Sequence, residues 1–129
     1  MTRLPELADQ VIRRNVSDEL EKLKKAPSWQ RESGRSSETL VKYEEFRIVL
    51  VRMKMGSYMS HHRAEGPISI HALKGKVRVH LPGDRMEDLK PGDLLTLQRC
   101  LEHDVEALEE SAFLLTIAWP EIEPSAVKT

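Results

Sequence analysis

From Glu38 to Trp119, hydrophobic and polar residues alternate along the chain, so that every second position is apolar over short stretches. A period of two is typical of β-strands with one buried face. Turn signals separate the stretches at Lys74-Gly75, Pro82-Gly83-Asp84 and Pro91-Gly92-Asp93. The pattern predicts strands over residues 46–53, 68–73, 76–81, 94–97, 103–108 and 112–119, with residues 68–81 forming a hairpin about Lys74-Gly75. Short strands without helices between them predict an all-β antiparallel sandwich or barrel.

The first 37 residues follow a different pattern, that of helices. A first helix is predicted by apolar residues at helical spacing: Leu4, Leu7, Ala8, Val11 and Ile12. A second short helix is predicted to begin at Ser17 as its N-cap and to end before Pro27. We expect Trp29, in the polar connector that follows, to anchor this arm on the strands. The predicted organisation is therefore a helical arm and connector (residues 1–37), a β domain (38–120) and a C-terminal tail (121–129).

Alternation also assigns side chains to the two faces of each strand. The apolar face is predicted to line an interior pocket with Ile68, Ile70, Val77, Val79 and Val105. By the same alternation, His62 and His103 face inward, whereas His61, His71 and His80 face solvent. Two inward histidines from distant strands, both next to turns, indicate a site at the mouth of the pocket.

Length and charge narrow the function classes. The chain has 129 residues, which suits a single domain, and 20 basic against 21 acidic side chains. A net charge of −1 argues against a protein that coats nucleic acid. The longest apolar run, from Ala112 to Trp119, is shorter than the roughly 20 residues of a spanning helix. The N-terminus has no apolar signal segment, and the single Cys100 favours a reducing compartment. We therefore expect a cytoplasmic protein without nucleic-acid or membrane partners.

The spacing of certain glycines, prolines and histidines resembles the cupin superfamily, the small β-barrels of the germin and RmlC type. Gly56 and, after five residues, His62 resemble the opening of the first cupin motif, and Gly75 closes that motif at the expected distance. Pro91-Gly92-Asp93 resembles the turn of the second motif, in which His103 occupies the histidine position. The resemblance covers residues 40–119 and implies a jelly-roll β-barrel with a short N-terminal helical arm. Residues 66–70 and 73–75 look like those of one group of small bacterial cupins that are mostly uncharacterised.

The sequence also departs from the cupin motifs, chiefly at the metal ligands. The second histidine of the first motif falls on Ala64 and its glutamate falls on Ile68. In the second motif the proline falls on Gln98, the glycine on Cys100 and the asparagine on Ala107. Of the four ligands that hold iron, manganese, nickel or zinc in cupins, the resemblance thus leaves two.

A catalytic metal needs about three protein ligands and an open position. The two histidines that remain, His62 and His103, are the candidate metal ligands, and candidates for a third ligand are His61, Glu65, Gln98 and Cys100. A regular strand points His61 away from His62, and Glu65 faces inward only if the Gly66-Pro67 turn directs it there.

Three functions remain open from the sequence. The first is a cupin that binds or senses a small molecule in an apolar pocket, with His62 and His103 as polar contacts. The second is a metal-dependent enzyme, a dioxygenase or isomerase acting on a small organic acid or aromatic compound. The third is an interaction protein without a working pocket. In each case we expect a homodimer, because β-structures with free edge strands often pair.

Overall fold

The computed structural model describes residues 7–30, 34–62 and 64–119, with only the backbone at positions 28, 30, 61 and 62. Within these residues, the helix α1 (Val16–Lys24) precedes nine strands. The strands are β1 (Arg35–Lys42), β2 (Phe46–Met53), β3 (Tyr58–His62), β4 (Ile68–Lys74), β5 (Val77–Leu81), β6 (Arg85–Leu89), β7 (Leu94–Leu97), β8 (His103–Ala107) and β9 (Ser111–Ala118). Short 3-10 turns occupy Pro27–Gln30 and Pro82–Asp84. The prediction of a mostly β protein with a short N-terminal helix is confirmed.

The strands form two antiparallel sheets. The first sheet has the order β1-β2-β9-β4-β7 and the second the order β3-β8-β5-β6. A single hydrophobic core lies between them, to which the first sheet contributes residues such as Val51, Ile70 and Phe113 and the second sheet Val79 and Val105. Two sheets that pack apolar faces against each other in this way form a sandwich.

The predicted hairpin over residues 68–81 is wrong. β4 pairs with β7 and β9 in the first sheet, whereas β5 pairs with β6 and β8 in the second. The connection at Gly75 therefore crosses from one sheet to the other. The buried Ser111 hydroxyl accepts a hydrogen bond from the Lys76 amide and donates to the Lys76 carbonyl, both at 3.0 Å. These bonds to β9 satisfy the backbone where a hairpin would have used its own second strand.

The helical arm also differs from its prediction in two details. The N-cap of α1 is Asn15, whose side chain accepts a hydrogen bond from the Asp18 amide, and not Ser17. The first predicted helix does not reach Ile12, because a turn and bends occupy residues 8–11 and residues 12–15 have no regular structure. The Tyr43 hydroxyl donates to the Asp9 carbonyl at 2.8 Å, which holds this stretch against the sheet. Leu4, where that helix was predicted to start, lies outside the described residues.

The arm covers the outer face of the first sheet. Leu23 of α1 packs against Leu40 and Leu50, and all three side chains are buried. Arg52, 2% exposed, donates to the Leu20 carbonyl at 3.2 Å and lies against the Trp29 ring. The predicted anchoring role of Trp29 agrees with its burial. Because both faces of β2 are covered, its last four residues are all buried. None of the described helices is long and apolar enough to span a membrane.

Candidate functional site

A cavity of about 290 Å³ lies between the two sheets, at the end where β2 and β4 begin and β9 ends. Its walls come from β2, β3, β4, β8, β9 and the segment between β3 and β4. The lining residues are Arg47, Met59, Ala64, Glu65, Ile68, Ile70, His103, Val105, Phe113, Leu115, Ile117 and Trp119. Nine of these side chains are hydrophobic. The remaining three, Arg47, Glu65 and His103, are charged or can become so.

Strand alternation explains why the walls are apolar. Inward positions of β4 carry Ile68 and Ile70, and those of β9 carry Phe113, Leu115 and Ile117. The segment before β4 closes on β9 at Gly66, where a Cβ atom would collide with the Ala118 carbonyl. The Ala118 amide bonds to the Pro67 carbonyl at 3.0 Å, so this part of the wall is joined by backbone contacts.

Arg47 places a positive charge on this apolar wall. It lies on β2 opposite Ile117 of β9, and its guanidinium carbon is 5.0 Å from the centre of the Trp119 ring. Its Nε is buried and has no hydrogen-bond partner. A buried N–H without an acceptor costs free energy unless something supplies one.

Among the described polar side chains of the cavity, His103 is the most enclosed, with 7% of its surface exposed. Its Nδ1 lies 3.1 Å from the Leu101 carbonyl oxygen. Since a carbonyl oxygen only accepts, Nδ1 carries a proton and donates this hydrogen bond. The backbone register pairs position 62 directly with His103. The side chains of His61 and His62 lie outside the described residues.

Glu65 is an exposed residue at the rim of the same cavity. It stands directly before Gly66-Pro67, the turn on which its inward orientation was predicted to depend. Its carboxylate therefore contributes negative charge where Arg47 contributes positive charge. Arg47, Glu65 and His103 together give an apolar chamber with three different polar groups.

The structure sorts the predicted pocket residues into two groups. Ile68, Ile70 and Val105 line the cavity. Val77 and Val79 do not, and the prediction for these two is wrong: they are 1% and 0% exposed and pack within the closed core. Val77 pairs with Ala107, at the opposite end of β8 from His103. Alternation had assigned the correct face to both valines but could not give their position along the sandwich.

The proposed additional metal ligands are not brought together in the described part of the chain. Gln98 and Cys100 are exposed and do not border the cavity. The described residues contain no group of three His, Cys, Asp or Glu side chains able to hold a metal ion. His103 nevertheless fits the role of a ligand, because metal-bound histidines commonly donate their other ring N–H to a carbonyl.

Sequence reasoning missed Arg47 and Trp119 as cavity residues. A signal for Arg47 was present, since it shares the inward, odd-numbered face of β2 with Val49, Val51 and Met53. A charged residue on an apolar face is the kind of exception that marks a site. Trp119 gave no comparable signal, because it follows the last strand and its position depends on the closure of the chain around Gly66.

A second set of polar groups covers the outer face of the second sheet. His80 Nε2 lies 2.9 Å from Glu106 Oε1, and the Tyr58 hydroxyl bonds to Asp104 at 3.4 Å. Burial and the neighbouring carboxylates raise the pKa of Tyr58 above its usual value. As predicted, His71 is exposed, while His80 is only partly so. These contacts form a polar network on the outer surface of the second sheet, outside the cavity.

Comparisons with known proteins relate this arrangement to one fold. No protein-family model matches the sequence, and no curated protein matches it either. Among solved structures, a cupin superfamily protein from Desulfitobacterium hafniense superposes with a TM-score of 0.69 at 19% identity, over 92% of this chain and 100% of that one. An RmlC-like cupin from Desulfovibrio desulfuricans superposes with a TM-score of 0.62 at 27% identity, over 68% and 85%.

An enzyme is also among the similar structures. A point mutant of salicylate 1,2-dioxygenase from Pseudoaminobacter salicylatoxidans superposes with a TM-score of 0.76 at 12% identity. The match covers 87% of this chain but 36% of that one, so this chain corresponds to about a third of that enzyme chain. At such identities the likeness concerns the fold.

Proposed function

Because the chain has the cupin fold, we propose that it binds a small organic molecule in the cavity between its two sheets, which correspond to the jelly-roll barrel of that superfamily. The observation that supports this is the chamber of about 290 Å³, which the described residues line with nine hydrophobic side chains and three convergent polar ones. Ligand sites are typically apolar cavities with a few polar groups that orient the ligand.

The size of the chamber limits the ligand. Cavities for drug-sized molecules occupy roughly 300–1,000 Å³, and this one lies at the lower end. A molecule with one ring or a short chain fits that volume. Its transfer from water to walls such as Ile68 and Phe113 supplies the main free energy of binding. Arg47, Glu65 and His103 would then select among molecules of that size by their polar groups.

A cavity-filling variant tests this proposal. Ala64 lines the cavity and is partly buried, so Ala64→Phe places a ring inside it. Thr96→Phe is the matched control, since Thr96 is exposed on the edge strand β7 outside the cavity. One-ring and short-chain compounds, neutral and ionised, are screened by the rise in melting temperature that binding produces.

We expect several compounds to stabilise the wild-type protein and Thr96→Phe but not Ala64→Phe. Equal stabilisation of all three proteins would mean that the ligands bind elsewhere, and the absence of any stabilising compound would contradict the proposal.

A second candidate function is a metal-dependent enzyme. The hydrogen bond from His103 Nδ1 to the Leu101 carbonyl and the register pairing of position 62 with His103 favour it. His62 and His103 would hold iron, manganese, nickel or zinc, with Glu65 or His61 as a further ligand. Such a metal would act as a Lewis acid toward a bound organic acid or aromatic compound, in a dioxygenase or isomerase reaction.

Elemental analysis by plasma mass spectrometry tests this second candidate on protein purified without a histidine tag. His62→Ala and His103→Ala are compared with His71→Ala, in which an exposed histidine outside the cavity is removed. About one metal per chain, kept in His71→Ala and lost in the other two, supports an enzyme. No metal in the wild-type protein, or metal retained in all variants, contradicts it.

We also propose that the protein is a homodimer in a reducing, cytoplasmic environment. The edge strands of both sheets and the single free Cys100 support this proposal. Light scattering on the purified full chain measures the mass directly, and a mass of one chain at all concentrations would contradict the dimer.

A further inference from the structure

We infer that the ligand of the cavity is a small carboxylic acid, bound as its carboxylate by the guanidinium of Arg47 with its apolar body against the cavity walls. The inference rests on the proposed small-molecule function and adds the chemical class of the ligand. Arg47 points to this class, because it places a positive charge on an apolar cavity wall and its buried Nε lacks an acceptor.

The buried Nε–H of Arg47 costs the fold free energy as long as it lacks an acceptor. Its neighbours in the cavity, Leu115 and Ile117 among them, are hydrophobic. The Trp119 ring, 5.0 Å away, contacts the guanidinium through a cation–π interaction. This interaction supplies no hydrogen-bond acceptor, and Nε is buried without one. A guanidinium has five N–H donors in one plane, in a fork that matches the two oxygens of a carboxylate.

A second arginine on the same strand shows how a guanidinium is satisfied within this fold. Arg52, on the opposite face of β2, donates to the Glu110 carboxylate at 2.7 Å and to the Leu20 carbonyl at 3.2 Å. Its Nε is also without a partner, but its two terminal nitrogens have acceptors. Within the described residues, Arg47 has no such acceptor. The acceptor that Glu110 supplies to Arg52 is therefore what a ligand would supply to Arg47.

His103 does not compete for the carboxylate. Its Nδ1–H already donates to the Leu101 carbonyl, and His103 has a further interaction within the protein. The carboxylate is therefore expected at the permanently charged guanidinium of Arg47.

The negative charge of Glu65 allows the charge of the ligand to be tested. It borders the cavity but is exposed, so water screens its charge. An anionic ligand is weakly repelled by Glu65, whereas a ligand carrying an ammonium group would be attracted to it. Removing the charge with Glu65→Gln should therefore strengthen the binding of an acid and weaken the binding of an amine.

Matched pairs of probes separate the carboxylate from the apolar body. Benzoate and hexanoate are compared with benzamide and hexanamide, which have nearly the same shape without the charge. Dissociation constants are measured by calorimetry near neutral pH for the wild-type protein, Arg47→Met, Arg47→Lys and Glu65→Gln. Arg85→Met is the control, because it removes an equal charge from a side chain that is 70% exposed and outside the cavity.

For the wild-type protein and Arg85→Met, we expect at least one acid to bind roughly 10-fold to 100-fold more tightly than its amide. Arg47→Met should abolish the preference for the acid and leave amide binding within a factor of about two. Arg47→Lys should retain part of the preference, since lysine keeps the positive charge but lacks the planar pair of donors of a guanidinium. Glu65→Gln should tighten acid binding by no more than about fivefold.

The outcomes distinguish this inference from the proposed function. If the amides bind as tightly as the acids, or if the preference survives Arg47→Met, the carboxylate inference is overturned while a ligand cavity stands. If neither the acids nor the amides bind the wild-type protein, the carboxylate inference is overturned, and the proposed function falls with it only if the wider compound screen also finds no ligand. Preferential binding of benzylamine, lost in Glu65→Gln, would show that the cavity selects a cation. Melting curves verify that each variant is folded. If Arg47→Met does not fold, the test is whether Arg47→Lys weakens the preference for the acid over its amide.

Discussion

Arg47 and Arg52 lie five positions apart on β2 and face opposite sides of the first sheet. Arg52 is 2% exposed, and its charge is neutralised by Glu110 at 2.7 Å. The hydrogen bond from Arg52 holds the pKa of the Glu110 carboxyl below its ordinary value of 4.5. The two arginines of this strand thus have different roles. Arg52 bonds the helical arm to the sheet, and Arg47 faces the cavity.

The Arg52–Glu110 pair predicts a specific dependence of stability on pH. A carboxyl whose folded pKa is depressed stabilises the fold above its unfolded pKa, and this contribution is lost as the pH falls through the folded value. For Glu110 the loss is therefore expected below about pH 4.5. Glu110→Gln should lower the free energy of unfolding at pH 7 by about 1 kcal/mol, a modest value because Glu110 is partly exposed.

Urea denaturation at pH 7 and at pH 3 measures this difference. The gap between wild type and Glu110→Gln should narrow in acid, while Glu109→Gln, at the exposed neighbouring position, should follow the wild type at both pH values. A gap of the same size at both pH values would show that the charge of Glu110 contributes nothing.

Gly66 is the residue on which the closure of the cavity wall depends. A Cβ atom there would collide with the Ala118 carbonyl oxygen and lie 2.7 Å from the carbonyl carbon, and neither backbone atom yields easily. Gly66→Ala should lower the free energy of unfolding by about 1–3 kcal/mol, as overpacking does. Glu65→Ala, at the exposed neighbouring position, should change it by less than about 0.5 kcal/mol. Thermal or urea denaturation measures both, and equal stability of the two variants would mean that the wall moves freely at Gly66.

At the scale of elements, alternation located most strands but not their partners. The strand β2 was predicted with the same bounds that the structure has, Phe46–Met53. The strands β1, β3 and β6 were not predicted, because their sequences are charged and polar and lack a long apolar run, and β1 begins within the predicted connector. The hairpin of β4 and β5 was predicted wrongly, because a strand–Gly–strand pattern is the same whether the chain turns back or crosses to the facing sheet. That choice depends on contacts with distant strands, here with β9 through Ser111.

The candidate site could be predicted only in part, for the same reason. Ile68, Ile70, Val105 and His103 were assigned to the interior from alternation, and all four line the cavity. Alternation shows which face of a strand a side chain occupies, but not which end of the sandwich it lies near. Val77 and Val79 were therefore placed in the cavity although they lie in the closed core. Trp119 could not be found from local pattern, because it meets Arg47 only after β2 and β9 have paired.

The helix α1 contributes to stability through Leu23. Leu23 is 3% exposed and packs on Leu40 and Leu50 at the outer face of the first sheet. Leu23→Ala should lower the free energy of unfolding by about 2–4 kcal/mol, since it removes buried methyl groups and leaves a cavity. Leu94→Ala is the control, because Leu94 is 64% exposed and should give less than about 0.5 kcal/mol. If Leu23→Ala is as stable as the control in urea, the arm is not packed on the sheet.

At the scale of the whole molecule, the two sheets differ in what covers their outer faces. The arm covers the outer face of the first sheet through Leu23 and Trp29. The outer face of the second sheet carries a polar network that includes His80 and Glu106. The facing surfaces of the two sheets form the core, and the cavity is an extension of that core toward solvent. This is where an apolar ligand meets both hydrophobic walls and the charge of Arg47.

The measurement that tests ligand binding most directly is the mapping of a bound compound on the folded chain. The amide spectrum of ¹⁵N-labelled wild-type protein is recorded during titration with the compound that stabilises it most. We expect saturable shifts concentrated at Arg47, Ile70, Val105, Ile117 and their neighbours, and their absence in Ala64→Phe. Shifts confined to the outer network around His80, or shifts unchanged by Ala64→Phe, would contradict the claim that the cavity between the two sheets is the binding site.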